Sequence, residues 1–349
     1  MSDSGVDVAD RGVSAAVGAV SFTPAADRLL VVGGRQRVLR AVADAGQTWY
    51  EYDQALMLEV DPSSGAARVV HSYTTPPEAR PAVNPAILFK SGTRVGDRLY
   101  LSTQTEVLVL RLPGFERIAY VSLPRFNDVH HVRPSHTGGL LIANTGLDTV
   151  LDVGLDGEVR SEWNVIGEDT WTRFDPSVDY RRVKTTKPHH AHPNHVFYIG
   201  DEPWATRFEQ RDAVSLADPG RRIDIGLERV HDGVVYDGCV YFTTVDGKIA
   251  IADVDTLRVL EVIDLVPLHP AGTRLGWCRG IQPDADGAWI GFSRIRPTKF
   301  RENVGWVLHG FKRDLGTHIG RYDLKSPRSL SDILLEEQEL GAVFSLFPA

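Results

Sequence analysis

The chain has 349 residues, of which 42% are hydrophobic, so it is long enough for two ordinary domains or for one large closed fold. Its formal net charge of -8 and its pI near 5.8 argue against a surface that binds nucleic acid or anionic membranes, because both reward clustered Lys and Arg. The two cysteines, Cys239 and Cys278, are too few for a disulfide scaffold and are typical of free thiols in a reducing compartment.

The N-terminal segment, residues 1–11, is acidic and polar, and we expect it to be a disordered lead. The apolar stretch VSAAVGAVSF behind it lacks the positive flank and the length of a secretory signal. No window reaches the roughly 18 apolar residues of a membrane span. These features predict a cytoplasmic protein with a small-molecule partner and with no nucleic-acid or membrane partner. The sequence carries no signature of an oligomeric state.

From there to the C-terminus, short runs rich in Val, Ile, Leu, Tyr and Phe alternate with turns that contain Gly, Asp, Asn or Pro, and this pattern predicts β-strands. The runs fall into six groups of about 40 residues or more, a spacing typical of propeller repeats. In chain order the groups are VGAVSF, RLLVVGG, ALMLEVD and ARVVHSY; PAILFKS, RLYLST, EVLVLRL and ERIAYVS; VHHVRPS, GLLIANTG, TVLDVGL and EVRSEWNV; NHVFYIG, PWATRF, DAVSLAD and RRIDIG; GVVYDG, CVYFTTVDG, KIAIADV and RVLEVIDL; and CRGIQPDADG, AWIGFSR and THIGRYDL.

Repeats of four antiparallel strands are the signature of propeller blades, in which radial stacking buries both faces of each sheet. We therefore predict an all-β chain folded as a single β-propeller over residues 12–349, with six four-stranded blades. Five or seven blades are the alternatives. A β-sandwich is the competing architecture, but it rarely needs so many short strands.

Three segments near the C-terminus interrupt or follow the last repeat. The insertion at about 296–316 mixes aromatic and charged residues and is predicted to be a lid over the channel, with His309 and His318 as weaker site candidates. SLSDILLEEQ predicts a short helix capped by Ser329 or Ser331. ELGAVFSLFPA predicts a strand that pairs with the first or the last blade and closes the ring.

Histidines cluster where predicted inner strands begin. Four of the twelve histidines lie in KPHHAHPNH, and others stand in DVHHV and VHDG. The six inner strands can be aligned on the apolar residue that begins each one. His131 and His195 then stand one residue before that position and His231 three before, so alternation along an extended strand puts all three on one face. The aligned apolar residues are Val20, Ile87, Val132, Val196, Val234 and Ile281.

A second register of the same alignment remains open. A one-residue β-bulge would turn the position two before the apolar residue toward the channel instead. That register presents a polar pocket rather than a metal cage. Its residues are Pro85, His130, Asn194, Asp232 and Arg279.

Three imidazoles on rigid strands, with His192 as a fourth, would suit Zn(II), Fe(II) or another divalent transition metal that activates water or polarises a substrate oxygen. Asp128 and Asp232 are placed to act as general base or to orient an imidazole, and His130 is a further catalytic candidate. Basic residues of the sixth group could bind a carboxylate or phosphate of the substrate. These are Arg279, Arg294, Arg296, Lys299 and Arg301.

With GWCRGIQPDADGAWIGFSRIR, HDGVVYDGCVYFTTVDGKIAIAD and HHVRPSHTGGLLIANTGLDTVLDVGLDGEV in view, the chain resembles a group of uncharacterised bacterial β-propeller proteins from the third blade onward. It is more remotely similar to the strictosidine synthase, gluconolactonase and NHL-type propellers. Gluconolactonase-type enzymes hold a divalent ion with Glu, Asn and Asp, whereas this sequence offers histidines at the comparable level, so those ligands are not carried over. Virginiamycin-type lyases are propellers with a catalytic His and Mg(II), and this resemblance implies that a lyase reaction is conceivable.

These patterns predict a metal-dependent enzyme that acts on a small anionic molecule at the channel mouth by hydrolysis, elimination or isomerisation. His131, His195, His231 and His192 would bind the metal, and Arg279 and Arg294 would hold the substrate. The alternative is a non-catalytic propeller that binds a ligand or another protein, because a fold does not fix a function. A third reading, glycan binding, would need aromatic platforms at the mouth. Its candidates are Trp163, Trp171, Trp204, Trp277 and Trp306.

Overall fold

The computed structural model describes residues 27–37, 52–294 and 313–349. Within these ranges, six four-stranded antiparallel sheets follow one another around a ring, which makes the chain a six-bladed β-propeller and confirms the predicted fold. No helix in the described ranges has the length and apolar character that crossing a membrane requires.

The first three blades contain the last strand of the chain and the first eleven. Each blade is an antiparallel sheet in which every strand pairs with its neighbours in the order given below. Their strands are β26 (Leu340–Pro348), β1 (Leu29–Gln36), β2 (Tyr52–Val60) and β3 (Ala67–Tyr73) in blade 1; β4 (Gly92–Val95), β5 (Arg98–Ser102), β6 (Val107–Arg111) and β7 (Glu116–Val121) in blade 2; and β8 (Val129–Pro134), β9 (Leu140–Asn144), β10 (Thr149–Val153) and β11 (Val159–Asn164) in blade 3.

The second half of the ring repeats this plan. A two-stranded parallel pair, β20 (Thr273–Arg274) with β23 (Arg313–Asp314), lies outside the blades. The one α-helix of the described residues, α1 (Thr170–Arg173), lies in the long loop before blade 4. The blade strands are β12 (Pro193–Ile199), β13 (Glu202–Arg207), β14 (Asp212–Ser215) and β15 (Arg222–Asp224) in blade 4; β16 (Val230–Tyr236), β17 (Cys239–Thr244), β18 (Lys248–Asp253) and β19 (Val259–Asp264) in blade 5; and β21 (Trp277–Asp284), β22 (Gly287–Ser293), β24 (His318–Asp323) and β25 (Arg328–Leu334) in blade 6.

The ring is closed by its last strand. β26 pairs antiparallel with β1, with Leu346 opposite Val31, so the C-terminus supplies the innermost strand of the first blade. This confirms the strand predicted for ELGAVFSLFPA. β26 also contacts β21 of blade 6 and β4 of blade 2, which removes the open edge that a ring would otherwise leave at its seam.

Two sequence predictions change, and three others lie wholly or mostly outside the described residues. The helix predicted for SLSDILLEEQ is wrong, because this segment is strand β25 followed by a 3-10 turn at Glu336–Gln338. Its buried residues Ile333 and Leu335 alternate as in a strand. The predicted inner strand PAILFKS is displaced, since β4 begins at Gly92. The disordered lead at 1–11, the run VGAVSF and most of the lid predicted at 296–316, including His309, lie outside the described ranges.

The hydrophobic core lies between neighbouring blades. Ile249 and Ile251 of blade 5 pack against Ile290 and Phe292 of blade 6, for example. Both faces of a blade are therefore buried, and a middle strand such as β9 is buried at every position. This explains why the chain contains continuous apolar runs where a solvent-facing sheet would alternate. The radial stacking brings the starts of the six inner strands together around one channel.

Candidate functional site

Four consecutive inner strands are irregular where they begin. The pairing of β8, β12, β16 and β21 with the next strand of each blade shifts register between Val129 and His131, Pro193 and His195, His231 and Val234, and Arg279 and Ile281. A β-bulge of this kind leaves a residue unpaired and turns it away from the regular alternation. The residues set aside by the shift in β8 and β12 are His130 and Asn194.

A cavity with an empty volume of about 760 Å³, part of it open to solvent, lies at this level of the channel. Blades 1, 2, 3 and 6 and the loop before blade 4 contribute to its wall. The wall combines apolar and aromatic side chains with basic ones. It is lined by Tyr52, Leu88, Lys90, Gln104, Asp128, His130, Lys187, His192, Trp277, Arg279, Ser293, Arg294, Ala342 and Phe344.

The cavity separates the predicted site residues into two sets. Five of them line it, namely Asp128, His130, His192, Arg279 and Arg294. The other four are buried outside the wall and do not line it. We call this second set the buried histidine layer: His131, His195, His231 and Asp232.

Lys90 and Asp128 form a buried ion pair in the cavity wall. The Nζ of Lys90 donates to Oδ1 of Asp128, and Nε2 of Gln104 donates to the same oxygen at 3.2 Å. Both charged side chains are less than a tenth exposed. Burial lowers the pKa of Lys90 to about 8, with Lys187 and Arg279 acting in the same direction and Asp128 opposing it. Burial raises the pKa of Asp128, but the charges of Lys90 and the nearby histidines outweigh it and hold that pKa well below its usual value.

His130 has one ring nitrogen engaged and the other available. Its Nδ1 donates to the backbone carbonyl of Asp128 at 2.8 Å, which assigns the proton of the neutral ring to Nδ1. Among the described residues, Nε2 has no hydrogen bond, and the ring lines the cavity. Burial, reinforced by Lys90, lowers the pKa of His130 well below its usual value, so the ring is neutral near pH 7. The lone pair of Nε2 is therefore not used by a hydrogen bond within the described residues.

His192 is placed by a buried carboxylate on blade 3. Asp148 accepts hydrogen bonds from the backbone N–H groups of His190, Ala191 and His192 at 2.8–2.9 Å and from Arg173 at 2.7 Å. These bonds hold His192 in the left-handed backbone region at φ 55°. Its Nδ1 lies 3.1 Å from Nδ1 of His189, and its ring meets His130 edge-on at 4.9 Å between centroids. The HHAH segment is thus shaped by Asp148, a residue outside the sequence-based site.

His131 joins blades rather than facing the cavity. Its Nε2 donates to the carbonyl of Gly92 in β4 at 3.0 Å, and its Nδ1 accepts from the backbone N–H of Val196 in β12 at 3.3 Å. The ring stacks on His195 with 3.6 Å between centroids. Both nitrogens of His131 are therefore occupied by the backbone of the two neighbouring blades.

Asp232 is also engaged between blades. Its Oδ2 accepts from Thr243 at 2.5 Å and from the backbone N–H of Gly280 in blade 6 at 2.8 Å. Its Oδ1 lies 3.9 Å from Nδ1 of both His195 and His231. Burial raises the pKa of Asp232, but His231, His195 and Thr243 together hold it below the usual value. The predicted role of Asp232 as a base facing the substrate conflicts with this position, because the carboxylate does not line the cavity.

The buried histidine layer does not fit the predicted metal centre as it stands. His131 has no free lone pair, since Val196 and Gly92 use both nitrogens. In residues 27–37, 52–294 and 313–349, no three His, Cys, Asp or Glu side chains are placed to hold a metal ion together. His318, the weaker candidate, stacks on Phe292 at 4.6 Å and does not line the cavity. The metal centre stays a prediction from the sequence.

The cavity wall also contains an arginine, Arg279, that lies against two aromatic rings. The guanidinium of Arg279 lies 5.2 Å from the ring centroid of Trp277 and 4.7 Å from that of Phe344, a cation–π arrangement on two aromatic rings. Arg294 stands at the rim, half exposed, with Nε 3.5 Å from Oε1 of Glu336. Of the tryptophans considered for glycan binding, Trp277 lines the cavity and Trp204 is fully buried. Arg296, Lys299, Arg301 and Trp306 lie outside the described residues.

Sequence reasoning missed Lys90 as a member of the site. It stands in the apolar run AILFKS, three residues after the aligned Ile87, and nothing nearby in sequence indicates a partner. The available signal was a lysine inside a run that is otherwise predicted to be buried, because lysine is almost never fully buried unless it is paired. Sequence reasoning also missed Lys187, because it stands in a loop, where a lysine is usually exposed to solvent.

Comparisons with known proteins agree with the architecture. No protein-family model and no curated protein matches the sequence. Among solved structures, the chain is similar to a protein of unknown function from Bacteroides caccae, with 12% identity, a TM-score of 0.56, and coverage of 92% of this chain and 98% of that one. It is also similar to virginiamycin B lyase from Staphylococcus aureus, with 11% identity, a TM-score of 0.45, and coverage of 85% and 84%. These neighbours are β-propeller proteins, and the likeness extends to the fold alone.

Proposed function

We propose that this propeller is an enzyme that binds a small organic anion in the channel-mouth cavity and catalyses proton transfer at carbon, leading to elimination or isomerisation. The main support for this proposal is that His130, whose Nε2 makes no hydrogen bond within the described residues, shares a cavity wall with a large excess of basic side chains. The proposal keeps the substrate class expected from the sequence and routes no step through a metal.

The charge of the cavity supports an anionic ligand. Its wall contains the basic residues Lys90, Lys187, Arg279 and Arg294 against the single carboxylate of Asp128, four positive charges against one negative with histidines neutral. The whole chain carries -8, so this surface departs from the rest of the protein. Positive charge concentrated in a concave, partly desolvated site favours anions far more than the same charge on an open surface.

The two sides of the cavity suggest how such a ligand would be oriented. Arg279 offers a planar fork suited to a carboxylate, and its position against Trp277 and Phe344 limits its motion. Lys90, in the same cavity wall, would be within reach of a substrate oxygen or carbonyl group. Asp128 and Gln104 position Lys90. Apolar groups such as Leu88 and Ala342 would accommodate a short carbon chain.

His130 is suited to the role of general base. Its proton is fixed on Nδ1 by the Asp128 carbonyl, Nε2 has no hydrogen bond within the described residues, and the residue lines the cavity. A neutral imidazole at working pH can take a proton from substrate carbon and return it at another position, and a positioned base contributes typically about 10²–10⁴ in rate. His192, edge-on to His130, is a positioning residue for that ring.

Deuterium exchange tests the proposal without a known substrate. The purified protein is incubated in D₂O with lactate, malate, pyruvate and 2-oxoglutarate, and the loss of carbon-bound hydrogen is followed by proton NMR. We expect exchange above the buffer rate for at least one anion and a drop of about 10²-fold or more in His130→Gln. His190→Gln is the matched control, because His190 is an exposed residue of the neighbouring loop, and it should exchange at the wild-type rate.

The same samples separate the enzyme from the non-catalytic alternative. Calorimetric binding of an anion that weakens in Arg279→Met, with no exchange above buffer in any sample, would identify a ligand-binding propeller instead. Binding of none of these acids would remove the proposed substrate class altogether.

A further inference from the structure

Lys90 differs from the other basic residues of the cavity in its burial and in its position. Its side chain is 4% exposed, it lies in the wall, and its Nζ points to Asp128 across the boundary between blades 2 and 3. Lys187, which also lines the cavity, is exposed. Arg279 and Arg294 cannot act as nucleophiles, because a guanidinium does not lose its proton in proteins. Lys90 is thus the one buried amine among the lining residues that the structure describes.

The surroundings of Lys90 favour a reactive amine. Burial and the positive charges of Lys187 and Arg279 disfavour its ammonium form and bring the pKa to about 8, so a substantial fraction is neutral in mildly alkaline solution. Asp128 holds the nitrogen in place. A lysine amine that is desolvated and lies near other cations is the usual means of making a carbonyl-reactive nucleophile.

We propose that Lys90 forms an imine with the oxo group of a small 2-oxo carboxylate bound in this cavity. The inference rests on the proposed function and names its substrate class. The neutral Nζ attacks the carbonyl carbon, a carbon–nitrogen bond forms, and the carbonyl oxygen takes up a proton to give a carbinolamine. Loss of that oxygen as water gives the protonated imine. Overall, one ammonium and one ketone yield one iminium and one water, so no oxidant or further reactant is required.

The imine would explain why Lys90, His130 and Arg279 line the same cavity. A protonated imine withdraws electrons from the neighbouring carbon, which makes its hydrogen more acidic, and Nε2 of His130 is available to remove that hydrogen. Arg279 would bind the carboxylate next to the oxo group. Proton removal at carbon therefore follows from the same three side chains that would bind the anion.

Reductive trapping tests the imine directly. The full-length protein is incubated with pyruvate or 2-oxoglutarate at pH 8 and reduced with borohydride, and its peptides are mapped by mass spectrometry. We expect a stable adduct on Lys90 whose added mass equals that of the oxo acid less one oxygen atom. Lactate, which has no oxo group, should give no adduct. Lys90→Arg keeps a cation beside Asp128 and should lose the adduct, whereas Lys187→Arg should keep it.

The outcomes separate this inference from the function on which it rests. An adduct that maps to Lys90 in the wild-type protein supports the imine even if Lys90→Arg fails to fold. An adduct on Lys187 or spread over surface lysines overturns it. Calorimetric binding of pyruvate without any trapped adduct also overturns the imine but leaves the proposed anion site intact. Absence of binding by every oxo and hydroxy acid removes both.

Discussion

His130 and His131 are adjacent in the chain, yet they belong to different layers of the channel. His130 lines the cavity and leaves Nε2 available, whereas His131 is enclosed between blades with both ring nitrogens bonded to backbone atoms of its neighbours. The register shift in β8 between Val129 and His131 separates the two environments. One residue of β-bulge therefore separates the imidazole that lines the cavity from the one that is hydrogen-bonded to the neighbouring blades.

The same division runs through the whole site. The cavity wall contains charged groups that a ligand can reach, with Lys90, Asp128 and Arg279 at its centre. In the buried histidine layer, His131 and Asp232 are hydrogen-bonded across blade boundaries, as in the bond from the Gly280 N–H to Asp232. Nδ1 of His195 and both ring nitrogens of His231 have no hydrogen bond within the described residues. Changes in the layer should therefore alter stability, and changes in the wall should alter ligand binding. The exception is Lys90, which belongs to the wall but is also half of a buried pair.

Replacing Lys90 with Met should have the largest effect. The change leaves the Asp128 carboxylate buried without its cation, and losing one partner of a buried ion pair costs about 3–5 kcal/mol. Urea unfolding measures this loss. Lys187→Met, at the exposed lysine of the same cavity, is the matched control and should change the free energy of unfolding by less than about 0.5 kcal/mol. Equal effects of the two variants would contradict the buried pair.

His131→Phe and His130→Phe should give opposite patterns. Phe at 131 can keep the stack on His195 but orphans the Gly92 carbonyl and the Val196 N–H, so we expect a loss of about 3 kcal/mol in urea unfolding with ligand affinity retained. Phe at 130 removes one hydrogen bond, at a cost of about 1 kcal/mol, and abolishes deuterium exchange. If both variants lose exchange and stability equally, the two layers are not distinct.

Arg279→Met should weaken the affinity for an organic anion by about 30-fold, because hydrogen bonds to charged groups are worth about 2 kcal/mol. Arg294→Met removes a half-exposed guanidinium that already lies near Glu336, and such a rim charge is worth less than about 1 kcal/mol. Calorimetric titration with pyruvate or 2-oxoglutarate compares them. Similar losses in both variants would place the anion at the rim instead of beside Lys90.

Stability should fall in mild acid through the buried histidine layer. Burial lowers the pKa of His195 to about 3, with Arg133 and His231 acting with burial and Asp232 against it. The unfolded chain protonates near pH 6.5 while the folded chain does not, so stability decreases as pH falls below about 6.5, by up to about 1.4 kcal/mol per pH unit for this group. Urea unfolding between pH 7 and pH 5 should give a shallower slope for His195→Phe. Parallel slopes would show that His195 does not carry this dependence.

The sequence could predict the propeller ring, but not which residues belong to the cavity wall and which to the buried histidine layer. Runs such as LLIA in β9 are buried on both faces, which distinguishes stacked blades from a solvated sheet. The terminal run AVFSLF is apolar as well, and it pairs with β1 at the seam of the ring. His131 and His195 were predicted to lie close together, and their rings stack. Periodicity alone could not locate the bulges, because one extra residue reverses every side chain after it.

Contacts between residues far apart in the chain could not be predicted from the sequence either. Lys90 and Asp128 are 38 residues apart, and only the contact between blades 2 and 3 makes them partners. The segment SLSDILLEEQ was predicted to be a helix capped by Ser329 or Ser331, but Leu330 and Leu334 are exposed on an outer strand. Local patterns therefore fixed the blades, whereas ion pairs across blades required coordinates.

Metal removal should have the smallest effect. The Nδ1 and Nε2 atoms of His131 are hydrogen-bonded to two blades, and Oδ2 of Asp232 is bonded to Thr243 and Gly280, so a metal bound by His131 or by this oxygen would have to break contacts that hold the ring. We therefore expect that chelation changes neither the unfolding midpoint nor pyruvate affinity, and that elemental analysis finds less than stoichiometric zinc or iron. Stoichiometric metal that disappears in His195→Ala would instead restore the three-histidine centre predicted from the sequence, because that change removes a ligand without touching the cavity wall.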